Sequence, residues 1–100
     1  MTVVFYMNCV STLQLPLARE IVKLVGEENF RYVDAGLGGQ TNQTVGYVEP
    51  WILGLSQTAD GAEPWLESAD LVLTGLRDLA LIERRAEKGQ STCLFLTKTD

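Results

Sequence analysis

The side chains with chemistry to offer gather first in Asn8-Cys9-Val10-Ser11-Thr12, directly after the apolar run Val3-Val4-Phe5-Tyr6-Met7. A thiol just before a helix can have a lowered pKa and act as a nucleophile, and Cys9 precedes the helical pattern that begins by Leu15. Asn8, Ser11 and Thr12 add hydrogen-bonding groups at the same point, where the N–H groups that open a helix favour anions. The competing reading is structural. Cysteine is among the most buried residue types, and Ser, Thr and Asn routinely make turn and capping bonds. The turn holds no glycine, lysine or arginine, so nothing basic in it would hold an anion.

A second polar group, Gly75-Leu76-Arg77-Asp78, follows the run Asp70-Leu71-Val72-Leu73-Thr74. An arginine at such a place suits a phosphate or a carboxylate; the alternative is a surface pair with Asp78 or with glutamates of the next helix. Gly36-Leu37-Gly38-Gly39 does not qualify as a nucleotide loop. The dinucleotide fingerprint must follow the first strand and open a helix, and the Gly-Lys-Ser/Thr phosphate pattern is absent. Asp34 stands where a ribose-binding acid would, but without those glycines it is read as a loop cap. The chain has no histidine, and two cysteines do not make a structural zinc site. No catalytic residue, metal site or cofactor is therefore assigned.

These groups need a scaffold, and the composition allows one. The chain has 100 residues, enough for one domain, and with 46% apolar against 21% charged residues it can bury a core. A net charge of −5 with scattered basic residues argues against nucleic-acid binding. No basic leader with an apolar core opens the chain, and no apolar run approaches a membrane span. Cys9 and Cys93 lie in or beside strand-like runs; two cysteines allow a disulfide, but isolated ones so placed are more often free thiols of a reducing compartment. The expected location is the cytoplasm.

Val3–Met7 is uniformly apolar, the pattern of a strand covered on both faces of a parallel sheet. Leu17, Ile21, Leu24 and Val25 then predict one helix face, with Ala18 and Val22 beside it, Pro16 in the first turn and Gly26 as the stop. Phe30–Asp34 is the second strand, followed by the long polar loop Ala35–Gly46. Tyr47-Val48 and Trp51-Ile52-Leu53 are expected as a short extended piece interrupted by Pro50, and Asp60 as the cap of a short helix ending at Ser68. Asp70–Thr74 is the third strand. Arg77–Lys88 is a helix with Leu79, Ile82 and Ala86 inside, and Thr92–Leu96 is the fourth strand. The alternation predicts a single α/β, Rossmann-like, three-layer domain with a four-stranded parallel sheet in the order 2-1-3-4. The order reverses between the first and third strands. Ligands bind at such a reversal, outside the carboxyl ends of the strands. The expected site is thus the crevice between Asn8–Thr12 and Gly75–Asp78, with Asn8, Ser11, Thr12, Gly75 and Arg77 as its candidate walls.

Several stretches carry a resemblance as a set: Val4-Phe5-Tyr6-Met7-Asn8-Cys9-Val10-Ser11, Gln14-Leu15-Pro16-Leu17-Ala18-Arg19-Glu20, Phe30-Arg31-Tyr32, Glu49-Pro50-Trp51-Ile52-Leu53 and Ala69-Asp70-Leu71-Val72-Leu73-Thr74-Gly75-Leu76-Arg77-Asp78-Leu79. Together they resemble the amino-terminal part of a bacterial glycosyltransferase with two Rossmann-like halves, of the retaining group-1 type. The resemblance covers most of the chain outside Asp34–Gly46. It implies that this half binds the acceptor while a second half holds the nucleotide-sugar, with transfer in the cleft between them. It also implies that the turn after the first strand faces that cleft and that Gly75–Asp78 borders the acceptor. Relatives carry Pro-His where this chain has Thr12-Leu13, and the donor-binding half is missing. The expectation is an inactive fragment that meets acceptor and nucleotide-sugar only when joined to that half.

Two other classes stand beside this one. Cys9 followed by Val10-Ser11-Thr12-Leu13 resembles the phosphocysteine B-components of sugar phosphotransferase systems, in which Cys9 would be phosphorylated. Alternatively, the chain is a non-catalytic interaction domain whose fourth strand, as an exposed edge, pairs with a second copy.

Overall fold

A computed structural model of the protein describes residues 1–8, 14–36, 42, 48–76 and 78–94. Five strands form one sheet, and every pairing in it is parallel. They are β1 (Val3–Met7), β2 (Phe30–Asp34), β3 (Ser56–Thr58), β4 (Leu71–Thr74) and β5 (Ser91–Leu94), in the spatial order β3-β2-β1-β4-β5. The fold class is α/β. The expectation of four strands is corrected to five, because Ser56–Thr58 adds an outer strand beside β2. Those three residues are polar and lie at the sheet's edge. They carry none of the β-branched apolar pattern by which a buried strand is recognised.

Among the described residues the α-helices are α1 (Leu15–Val25), the single turn α2 (Pro50–Leu53), α3 (Glu63–Ser68) and α4 (Leu79–Glu87), with a 3-10 turn at Glu27–Asn29. Because side chains alternate along a strand, β1 feeds two cores. Val3, Phe5 and Met7 pack with Phe30, Tyr32 and Leu73 under Ala18 of α1 and Ile52 of α2. Val4 packs with Val33 and Val72 under Leu66 of α3 and Leu81 of α4. Phe5 meets Phe30 and Tyr32 edge-on, with ring centroids 6.0 and 5.9 Å apart. That arrangement adds to the value of their burial.

The helix faces differ from the expected ones. On α1 the inward strip is Ala18, Ile21, Val22 and Val25, while Leu17 and Leu24 are exposed at 44% and 84%. On α4 the buried pair is Leu81 and Arg85, whereas Leu79 and Ala86 face out. Asp78 sets that register, because its Oδ1 accepts the Leu81 N–H at 3.2 Å and fixes where the helix begins. Trp51–Leu53 is helical rather than extended, since Pro50 sits comfortably in a first turn. Ala62, not Asp60, occupies the cap position of α3.

Arg85 is fully buried and its guanidinium joins three elements. Nε donates to Thr92 Oγ1 at 2.9 Å, Nη1 to Leu66 O at 2.8 Å, and Nη2 to Ser91 O at 2.6 Å. Leu66 O lies in the last turn of α3, where carbonyls have no partner within the helix. A long charged side chain thus closes the end of one helix and fastens the edge strand β5. Gly26 ends α1 at φ 90° and ψ 151°, a region open essentially to glycine alone, and its N–H donates to Val22 O at 2.8 Å. At the amino edge, Asp70 Oδ2 accepts the Thr2 N–H at 2.8 Å, and its own N–H donates to Thr2 Oγ1 at 3.0 Å. This pair of bonds aligns the entries of β1 and β4.

Candidate functional site

The chain leaves β1 toward β2 and β3 on one side and reaches β4 and β5 on the other, so the switch point lies between β1 and β4. Two links cross the carboxyl ends of these strands, one on each face of the sheet, since Met7 belongs to the α1 side and Tyr6 packs on the α3 and α4 side. The Gly75 N–H donates to Met7 Sδ at 2.9 Å. The Tyr6 hydroxyl donates to Asp78 Oδ2 at 3.5 Å, a long bond. Thr74 is buried, and its Oγ1 accepts the Leu76 N–H at 2.9 Å, which turns the chain away from β4. Asp78 therefore serves both ends of its side chain: one oxygen caps α4 and the other receives the phenol.

Of the expected site residues, Asn8 and Gly75 directly follow β1 and β4 at the sheet's carboxyl edge, both half-buried. Ser11, Thr12 and Arg77 lie outside the described residues, as does Cys9. Tyr6 is a member that sequence reasoning passed over. It sits inside an apolar strand and looks like core, and only its pairing with Thr74 shows that its hydroxyl reaches the carboxyl edge. The signal that could have found it is a tyrosine within two residues of a strand's carboxyl end.

Burial first, then the negative charge of Asp78 and the hydrogen bond to it, push the Tyr6 phenol above its ordinary value. The pair is thus a neutral phenol held by a carboxylate. Such a pair offers hydrogen-bond donors and acceptors to an uncharged, hydroxyl-rich ligand. Its one charge is negative, which repels a phosphate. The described cations are engaged elsewhere: Arg19 with Glu49, Lys23 with Glu20, Arg84 and Lys88 with Glu67, and Arg31 over the Trp65 ring at 4.6 Å. Among the described residues no group of three or more Cys, Asp or Glu side chains is placed to hold a metal ion.

One strand away, Asp34 ends β2 in register with Met7 and is buried. Its Oδ2 accepts the Asn42 N–H at 3.1 Å, as a loop cap does. Burial pushes its carboxyl above the ordinary value, and the Asn42 N–H opposes this in part. A cavity of about 180 Å³ between Thr2, Pro64, Trp65 and Ser68 lies at the opposite, amino edge of the sheet. It is smaller than the pockets that usually enclose a ligand. In an open parallel sheet ligands bind at the carboxyl ends, so the crevice over Tyr6 and Asp78 is the better candidate. Among the described residues no helix is long and apolar enough to cross a membrane.

The described residues define an α/β protein with one all-parallel five-stranded sheet whose switch point lies between β1 and β4. Comparison with protein-family models, with curated proteins and with solved structures finds no match to this chain.

Proposed function

We propose that this chain is the acceptor-side, Rossmann-like half of a bacterial retaining glycosyltransferase that moves a sugar from a nucleotide-sugar to an acceptor such as a cell-surface glycan. The observation that carries the reading is the polar groups of Tyr6, Gly75 and Asp78 gathered at the carboxyl ends of β1 and β4, at the switch point. These residues fall inside the stretches that carry the resemblance, Val4–Ser11 and Ala69–Leu79. An acceptor glycan is neutral and rich in hydroxyls, so a carboxylate, a phenol and an amide are apt groups to orient it. Activating the donor needs cations or helix N–H groups around its diphosphate, and these belong to the second half. In this reading the chain alone, in the cytoplasm, positions an acceptor and transfers nothing. The donor sugar becomes relevant only once the second half is present. Titration calorimetry on the isolated chain tests this. Heat with neutral oligosaccharides and none with nucleotide-sugars agrees with the proposal. Tight binding of a nucleotide-sugar, or sugar transfer by the chain alone, overturns it.

A second reading, a pairing domain, draws on the edge strand. β5 is outermost, and its Ser91, Cys93 and Leu94 are exposed. An open edge of this kind invites pairing with a second copy. A dimer mass by light scattering supports that reading, and a monomer at high protein concentration removes it.

A further inference from the structure

Asp34 poses a question that neither reading of the function answers. Its side chain is 1% exposed, and Oδ1 has no hydrogen-bond partner among the described residues. Buried carboxyl oxygens are nearly always partnered, and an orphan costs stability. The other oxygen begins a chain of bonds. Oδ2 accepts the Asn42 N–H at 3.1 Å, Asn42 Nδ2 donates to Ser56 Oγ at 2.9 Å, and Ser56 Oγ donates to Ile52 O at 2.6 Å. Asn42 is itself buried. The carboxyl thus ties Asn42 to the end of β2, Asn42 binds Ser56 at the start of β3, and Ser56 in turn binds Ile52 of α2.

The surroundings of this carboxyl are poor in charge. From β1 its neighbour in register is Met7, and from β3 it is Thr58. Tyr32, two residues back on the same face of β2, donates its hydroxyl to Gln14 Oε1 at 3.0 Å just before α1. From α2 the chain of bonds presents only the Ile52 carbonyl. Tyr32 is therefore the titratable neighbour on this face, and among the described residues no cation compensates an ionised Asp34. A carboxylate can accept about four hydrogen bonds, and here one described donor reaches it.

We propose that Asp34 is a proton-linked latch: protonated, it keeps Asn42 anchored on β2 and β3, and ionised, it favours an arrangement in which the anchor opens and water reaches the carboxylate. The direction follows from linkage. Burial holds the carboxyl of the latched form above its ordinary value of 3.8. The stabilisation of the latched form is complete below that ordinary value and is lost as pH rises through the raised one. The latch lies beside Met7, whose Sδ accepts the Gly75 N–H at the carboxyl ends of β1 and β4. It therefore couples pH to the edge where the crevice lies, and it does so whether or not that crevice receives a glycan.

Native-state hydrogen exchange on the full chain between pH 4.5 and pH 8 tests the latch, with rates corrected for intrinsic exchange. Protection of the Asn42 and Ser56–Thr58 amides is expected to fall several-fold with rising pH, while the Val3–Met7 amides keep theirs. In Asp34→Asn the fall is expected to vanish. A carbon-13 titration of the Asp34 carboxyl in the unaltered chain gives a second measurement that needs no variant. Its midpoint must coincide with the midpoint of the loss of protection. The proposal is overturned if Asp34 titrates in the ordinary carboxylate range, if the two midpoints differ, or if Asp34→Asn keeps the same pH dependence.

Discussion

Replacing Arg85 with alanine should unfold much of the margin by which this domain is stable. The guanidinium donates to Thr92 Oγ1, Leu66 O, Ser91 O and, at 3.5 Å, Gln90 Oε1. A hydrogen bond from a charged donor contributes about 1.5–3 kcal/mol net. The bond to Leu66 O is buried and keeps that value, whereas the others are partly exposed and keep less. Truncation also leaves the Leu66 carbonyl without a partner at the end of α3, and it empties the space of a fully buried side chain. The sum is about 3–5 kcal/mol, the range seen when one member of a buried charged network is removed. A domain of this size is stable by about 5–15 kcal/mol. With a urea slope of about 2 kcal/mol per molar, the midpoint should fall by about 2 M. Burial pushes the Arg85 guanidinium down and the Asp70 carboxylate opposes this, but an arginine stays charged throughout. The loss should therefore not depend on pH near neutrality. Arg85→Lys keeps a charge but not the planar fork, and should lose about 1.5–3 kcal/mol. Equilibrium urea unfolding followed by far-ultraviolet circular dichroism measures both. A loss below about 1 kcal/mol for Arg85→Ala, at unchanged slope, would refute the assignment of Arg85 as the clamp between α3, α4 and β5.

Gly26→Ala should cost about 1–3 kcal/mol in the same assay, because a side chain at φ 90° is strained and its Cβ would stand 2.6 Å from Glu28 Oε1. Asp78→Ala should cost about 0.5–2 kcal/mol through the lost cap on α4, and Asp78→Asn should recover most of it. Absorbance titration of the phenols should find Tyr6 ionising above free tyrosine. Its contribution to stability is then complete below pH about 10 and is lost as pH rises through the raised value. Tyr6→Phe should remove that alkaline slope while changing neutral stability by under about 1 kcal/mol, since the bond to Asp78 is long.

The buried strands were legible because a strand covered on both faces has little choice of residue type. Val3–Met7, Phe30–Asp34 and Leu71–Thr74 are such runs, and their parallel pairing follows from the helical segments between them. Ser56–Thr58 was not legible, since an edge strand of three polar residues is held by its ladder and by Asn42 rather than by apolar burial. The face of α4 was misread for a related reason. A hydropathy pattern treats Arg85 as a surface residue, and only the acceptors on α3 and β5 explain why it is inside. On α1 the pattern set Leu17 and Leu24 at the centre of the face, yet the core centres on Ala18 beside it, where a small residue allows close approach to β1, and leaves Leu24 outside. The switch point between β1 and β4 could be read from the order of strands and helices alone. Its chemistry could not, because the Tyr6–Asp78 contact joins residues 72 apart in the chain.

Amide chemical-shift mapping of the isolated chain with a neutral oligosaccharide tests the central claim most directly. The account predicts shifts concentrated at Asn8, Gly75, Leu76 and Asp78, and none with a nucleotide-sugar. Shifts confined to Thr2, Trp65 and Ser68 at the opposite edge would contradict it, and so would a nucleotide-sugar that moves the same crevice amides.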